Sequence, residues 1–104
     1  MKVPKNLIIG GKNYTIKSDL LFIELFNNNL AGQINYATMV IKIKSLKNIH
    51  EKESVFFHEI AHGILRELEF NHPKIVPFRN DEKFVEELGL MLRKTFMDLL
   101  EKQK

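Results

Sequence analysis

Residues 48–69 read Asn48-Ile49-His50-Glu51-Lys52-Glu53-Ser54-Val55-Phe56-Phe57-His58-Glu59-Ile60-Ala61-His62-Gly63-Ile64-Leu65-Arg66-Glu67-Leu68-Glu69. Phe57, Ala61, Ile64, Leu65 and Leu68 recur at spacings of three and four, the period of a helix with one apolar stripe. Asn48, with Glu51 three positions on, has the form of a capping box, so the helix is expected to run from Ile49 to Glu69.

The histidines gain meaning from that helix. At about 100° per residue, His58 and His62 lie about 40° apart and one turn apart on a single face. Two imidazole nitrogens so placed can reach one ion at about 2.0–2.1 Å. Glu59 lies about 100° from His58, beside such an ion rather than on it. A carboxylate there is suited to accept a proton from a metal-bound water. The histidines sit at the edge of the apolar stripe, held by packing yet open to a cleft. Ala61 and Gly63 are small and are expected to leave space near the metal. The competing reading is a helix with two half-buried histidines satisfied by hydrogen bonds.

Two histidines do not complete a catalytic zinc site. Leu68 stands where a third histidine of the longer H-E-x-x-H-x-x-G-x-x-H pattern would fall, which excludes that pattern. His72, beside Pro73, is one available ligand; the other source is a carboxylate on a later helix. Pro73 and Pro77 make residues 70–80 a connection, and Asp81 is a plausible cap for a last helix reaching Leu100. Val85, Leu88, Leu92, Phe96 and Leu99 form its apolar stripe. Glu82 and Glu86 lie one turn apart at one edge of that stripe, whereas Glu87 points toward solvent. We assign Glu82 as the third ligand and Glu86 to orienting a ligand imidazole. The exchange of these two roles stays open, as does a solvated acidic first turn favoured by the helix dipole.

Upstream, the period is two. Leu7-Ile8-Ile9, the pair Gly10-Gly11, and Tyr14 and Ile16 alternating with polar neighbours predict a hairpin over residues 6–18. Residues 19–30 fit a short helix opened by Ser18 or Asp19 and ended by Asn27-Asn28-Asn29. A second hairpin is expected over 31–45, with Gln33-Ile34-Asn35-Tyr36 as one arm and Met39, Ile41 and Ile43 on the buried face of the other. Strands followed by helices give one α+β domain over residues 1–104: antiparallel hairpins, then two packed helices.

Composition agrees with one small soluble domain. The chain has 104 residues, 44% hydrophobic and 28% charged. Its net charge is only +3, and the basic residues are scattered, which disfavours a nucleic-acid reader. There is no cysteine, so disulfides and thiolate metal sites are excluded and a metal must be held by His and carboxylate. Leu7-Ile8-Ile9 is too short for a signal-peptide core, and no segment has the length of a membrane span; a cytoplasmic location is expected.

With these features in place, the chain resembles the small zincin-like metallopeptidases of phages and mobile elements, related in pattern to ImmA/IrrE-type proteases. The resemblance rests on Gly32-Gln33-Ile34-Asn35-Tyr36, Val40-Ile41-Lys42-Ile43, His58-Glu59-Ile60-Ala61-His62 and Glu82-Lys83-Phe84-Val85-Glu86-Glu87-Leu88-Gly89. It covers residue 30 to the C-terminus, and H-E-x-x-H is its one specific element. It implies a gluzincin-type zinc site of His58, His62 and Glu82, with Glu59 as general base. It also implies an extended substrate pairing with the strand near Gly32-Gln33-Ile34. The expected partner is a protein or peptide substrate, such as a repressor or another regulator. No oxyanion donor stands out: Tyr36 and His72 are candidates, with Tyr36 also readable as a packed strand aromatic and His50 as a surface residue. The alternative function is a non-catalytic, zinc-stabilised protein-binding module acting on a regulator of a phage or mobile element.

Overall fold

The computed structural model describes residues 2–20, 31–46 and 48–103. Four strands, β1 (Asn6–Ile9), β2 (Lys12–Leu20), β3 (Gly32–Asn35) and β4 (Val40–Lys44), precede three helices, α1 (Ile49–Leu68), α2 (Val76–Arg79) and α3 (Glu82–Lys102). The class is α+β.

The two expected hairpins form, except that Met39, expected on the buried face of the second, is an exposed turn residue with φ 56°. β1 and β2 pair antiparallel across Gly10 and Gly11, whose φ values of 58° and 82° suit glycine in a tight turn. β3 and β4 pair antiparallel from Gly32↔Ile43 to Asn35↔Val40, and Asn35 Oδ1 accepts from the Ala37 and Thr38 amides to shape the turn. The hairpins join through a parallel pair, β2 with β4, giving a mixed sheet of order β1-β2-β4-β3. Alternation within each strand fixes its faces but not its neighbour, so this parallel pairing lay beyond the sequence pattern.

Ser18 and Asp19 are strand residues of β2 rather than helix caps, and Asp19 accepts an ion pair from Lys52 at 2.8 Å. The rest of the helix expected over 19–30 lies outside the described residues. In the 70–80 connection, residues Pro73–Ile75 form a 3-10 turn that runs into α2. Each proline opens a turn, where its missing N–H costs nothing.

The core lies between one sheet face and α1. Tyr14, Ile16, Ile41 and Ile43 project from β2 and β4 onto Phe56 and Phe57, all buried. A second cluster of Ala61, Leu65 and Val85 joins α1 to α3. Asn48 and Asp81 cap these helices by accepting from the amides of His50 and Phe84. Three residues of the expected stripes need correction. Leu68 is exposed, as are Phe96 and Leu99 on the last turns of α3, because the described packing of α1 on α3 centres nearer Ala61 and Val85. Among the described residues, no helix is long and apolar enough to cross a membrane.

Candidate metal centre

α1 carries His58, Glu59 and His62 between the sheet and α3. Ala61, the small residue beside them, is fully buried in the α1–α3 cluster, and Gly63 faces Ile9 and Ile34. Their smallness therefore serves packing and not, as expected, space at the metal. The rings of His58 and His62 are 4.9 Å apart, centroid to centroid, and share one opening.

The third member comes from α3. Asp81 starts that helix, so Glu82 stands on its first turn against the middle of α1. Its two carboxylate oxygens lie 3.3 Å from His58 Nε2 and 3.3 Å from His62 Nε2. The candidate ligand atoms of His58, His62 and Glu82 all lie within 4.8 Å of one another. Two imidazoles and one carboxylate, each offering one atom to a common point, form a group that can hold a metal ion. The fit is one of chemistry as well as distance. Both histidines are half-buried, while Glu82 remains exposed, so the point they share is closed on the core side and open on the other.

Electrostatics favour the ligand form of His62. Burial lowers its pKa, the Glu82 carboxylate raises it, and His58 lowers it again, with a net downward shift. A neutral imidazole keeps its lone pair for a metal. Glu59 is buried beside the pair, and desolvation, followed by repulsion from Glu82, pushes its carboxyl up to about 8.

The centre sits in a cleft of about 690 Å³. One wall is β3, an edge strand of the sheet; the other is the α1–α3 pair. Tyr36, just past β3, is half-buried on that wall, and its hydroxyl donates to the His62 carbonyl oxygen at 3.4 Å. Burial and the nearby Glu59 push its phenol up to about 12, so it stays protonated. Glu86 also lines the cleft, one turn beyond Glu82, and is exposed. His72 is exposed at the cap of the 3-10 turn and is not a member of the metal-holding group.

Gly32 and Gly89 fall within the stretches that carry the resemblance, but their role in close packing, and any part for Arg93, do not follow from the sequence pattern. Gly89 lets α3 approach α1: a Cβ there would lie 3.0 Å from His58 Cα. Gly32 likewise clears Val55 and Glu59, a Cβ falling 2.6 Å from Val55 Cγ1. A glycine inside a helix costs about 1 kcal/mol relative to alanine, so Gly89 carries a signal that could have pointed to close approach. Arg93 lines the far end of the cleft and carried no local signal. No family model, curated protein or solved structure matches this chain.

Proposed function

We propose that this protein is a zinc-dependent peptidase. The observation that carries the reading is the convergence of His58, His62 and Glu82 on one point, with the buried Glu59 beside it and an edge strand along the cleft. Zinc suits two imidazoles and a carboxylate, and when bound it lowers the pKa of a water toward neutrality and polarises a carbonyl.

The chain's own residues supply the rest. Held as its carboxylate by the positive charge of a loaded site, which offsets the burial that otherwise keeps it protonated, Glu59 takes a proton from the attacking water as the water oxygen bonds to the scissile carbonyl carbon, then returns that proton to the amide nitrogen as the C–N bond breaks. Burial of Glu59 keeps bulk water from competing for that proton. β3 supplies main-chain pairing for an extended peptide. The Lys44 N–H to Ala31 oxygen bond and the antiparallel register set the alternation, which leaves Gly32 and Ile34 to direct their N–H and C=O away from β4. Tyr36 brings a protonated hydroxyl to the edge of the centre, where it can turn from the His62 carbonyl to a developing oxyanion. A regulator such as a repressor, presented as an extended segment, is the substrate class that the resemblance implies.

The test is metal analysis combined with hydrolysis. Protein purified without added zinc should hold or take up one zinc per chain, and His58→Ala should not. Zinc-loaded wild type should cleave an unfolded protein substrate, with loss of cleavage in Glu59→Gln and in chelator. A protein that cannot take up stoichiometric zinc would overturn the reading. Stoichiometric zinc without cleavage of any extended peptide would favour a binding module instead.

A further inference from the structure

We infer that Arg93, steadied by His50, forms a subsite for a carboxylate of the bound peptide, on the C-terminal side of the bond held at the metal centre. The inference rests on the peptidase reading above.

α3 runs antiparallel to α1 along the cleft: Glu82 meets His58 and His62, Gly89 lies against the His58 backbone, and Arg93 reaches His50. Arg93 is the only Lys or Arg among the described residues lining the cleft, where it shares the walls with Glu59, Glu82 and Glu86. Its guanidinium is held, not loose. Nη2 donates to His50 Nδ1 at 3.2 Å, and Nε is buried with no acceptor among the described residues. A planar guanidinium fixed in this way is suited to take a carboxylate with two parallel N–H bonds. The competing role is structural. Glu53 is buried beneath, with Oε1 at 3.8 Å from His50 Nδ1, so Arg93 also lies near a buried carboxylate.

The position sets which part of a peptide is read. His50 and His58 are eight residues apart on one helix, a rise of about 12 Å. An extended peptide covers that distance in roughly three to four residues. β3 sets the direction. Its Gly32 end lies over Val55 and Glu59, and Ile34 lies over Gly63, so β3 runs away from the Arg93 end of the cleft. Antiparallel pairing, the more stable per residue, then runs the peptide toward Arg93. The carboxylate read there belongs to the third or fourth residue beyond the scissile bond: an acidic side chain, or the terminus of a chain that ends there.

The probes are peptides whose N-terminal hydroxamate anchors on zinc and whose chain extends toward the C-terminus. One set carries Glu or Gln at the third or fourth residue with an amidated terminus. A second set carries Gln and ends there as free acid or amide. Binding to the zinc-loaded full chain is measured by calorimetry. A carboxylate in one of these places should bind roughly tenfold more tightly than its amide, the order expected of a charge-assisted hydrogen bond. The set showing the preference identifies the source, side chain or terminus. Arg93→Gln should abolish the preference and leave the affinity of the amide probe unchanged, and Arg93→Lys should keep part of it. A purely structural Arg93 would lower the melting temperature in Arg93→Gln while the acid-to-amide ratio stayed the same, which would overturn the inference. Equal binding of acids and amides by wild type would overturn it without any variant. Anchoring of the amide probes would leave the metal reading standing in that case, whereas failure of every hydroxamate to bind would overturn both.

Discussion

Gly89 on α3 lies against the backbone of His58: a Cβ at Gly89 would fall 3.0 Å from His58 Cα and 3.2 Å from its nitrogen. Both atoms belong to a helix backbone and cannot swing aside. Gly89→Ala should therefore push the two helices apart, although alanine is the better helix former by about 1 kcal/mol. Overpacking of this kind typically costs about 1–3 kcal/mol, enough to outweigh the propensity gain. Glu82, two turns earlier on α3, would move away from His58 and His62. Urea unfolding and zinc titration of the variant should show lower stability and weaker metal affinity together. A stabilised variant with unchanged affinity would show that the approach of the helices is not what sets the site.

Glu59→Gln separates metal holding from chemistry. Glutamine preserves the shape of the side chain but cannot take the proton. The variant should bind zinc with the affinity of wild type, because His58, His62 and Glu82 are untouched. Its rate of peptide hydrolysis should fall by at least about 10²-fold, the lower range for a general base. Retained turnover in a zinc-loaded Glu59→Gln sample would remove Glu59 from the proposed mechanism.

These two positions also show what the sequence could disclose. His58, Glu59 and His62 were legible because helical spacing alone places two imidazoles on one face. Glu82 was legible once Asp81 fixed where α3 starts and the stripe around Val85 fixed its orientation. The joining of the hairpins was not, since β2 and β4 carry patterns that any flanking strand would accept. Arg93 was not legible either. It became part of the cleft through the antiparallel crossing of α1 and α3, a relation between residues more than thirty positions apart. Ala61 and Gly63 carry an ambiguous signal, because small residues on a helix can serve a cavity or a close contact equally well. The structure gives them the second role.

Tyr36→Phe tests the hydroxyl that reaches the His62 carbonyl oxygen beside the centre. The aromatic body packs beneath Arg66, whose guanidinium carbon lies 5.3 Å from the ring centroid, and phenylalanine keeps that contact. The lost bond to the His62 carbonyl is long at 3.4 Å, so stability should change by less than about 1 kcal/mol. If the hydroxyl stabilises the oxyanion, kcat should fall by about 10²-fold or more with little change in KM. Equal kcat values for the two proteins would assign Tyr36 to packing alone.

The pH dependence of the metal-free protein follows from Glu59. Its carboxyl titrates near 4.5 in an unfolded chain and is pushed up to about 8 in the folded one by burial and by Glu82. Between those values the folded state holds a proton that the unfolded state has released. Stability must therefore fall as pH rises through this window, and level off once the folded carboxyl is also ionised. His62 acts in the opposite sense. Its lowered pKa makes the folded state bind fewer protons than the unfolded one below pH 6.5, so its contribution rises with pH up to that point. Above pH 6.5 the Glu59 slope should stand alone. Glu59→Gln removes it: at pH 8 the metal-free variant should be more stable than wild type by several kcal/mol at most, and near pH 4 the two should converge. Urea midpoints measured in chelator at pH 4, 6.5 and 8 provide the comparison. Parallel stability curves for variant and wild type across that range would show that Glu59 is not held protonated by its surroundings.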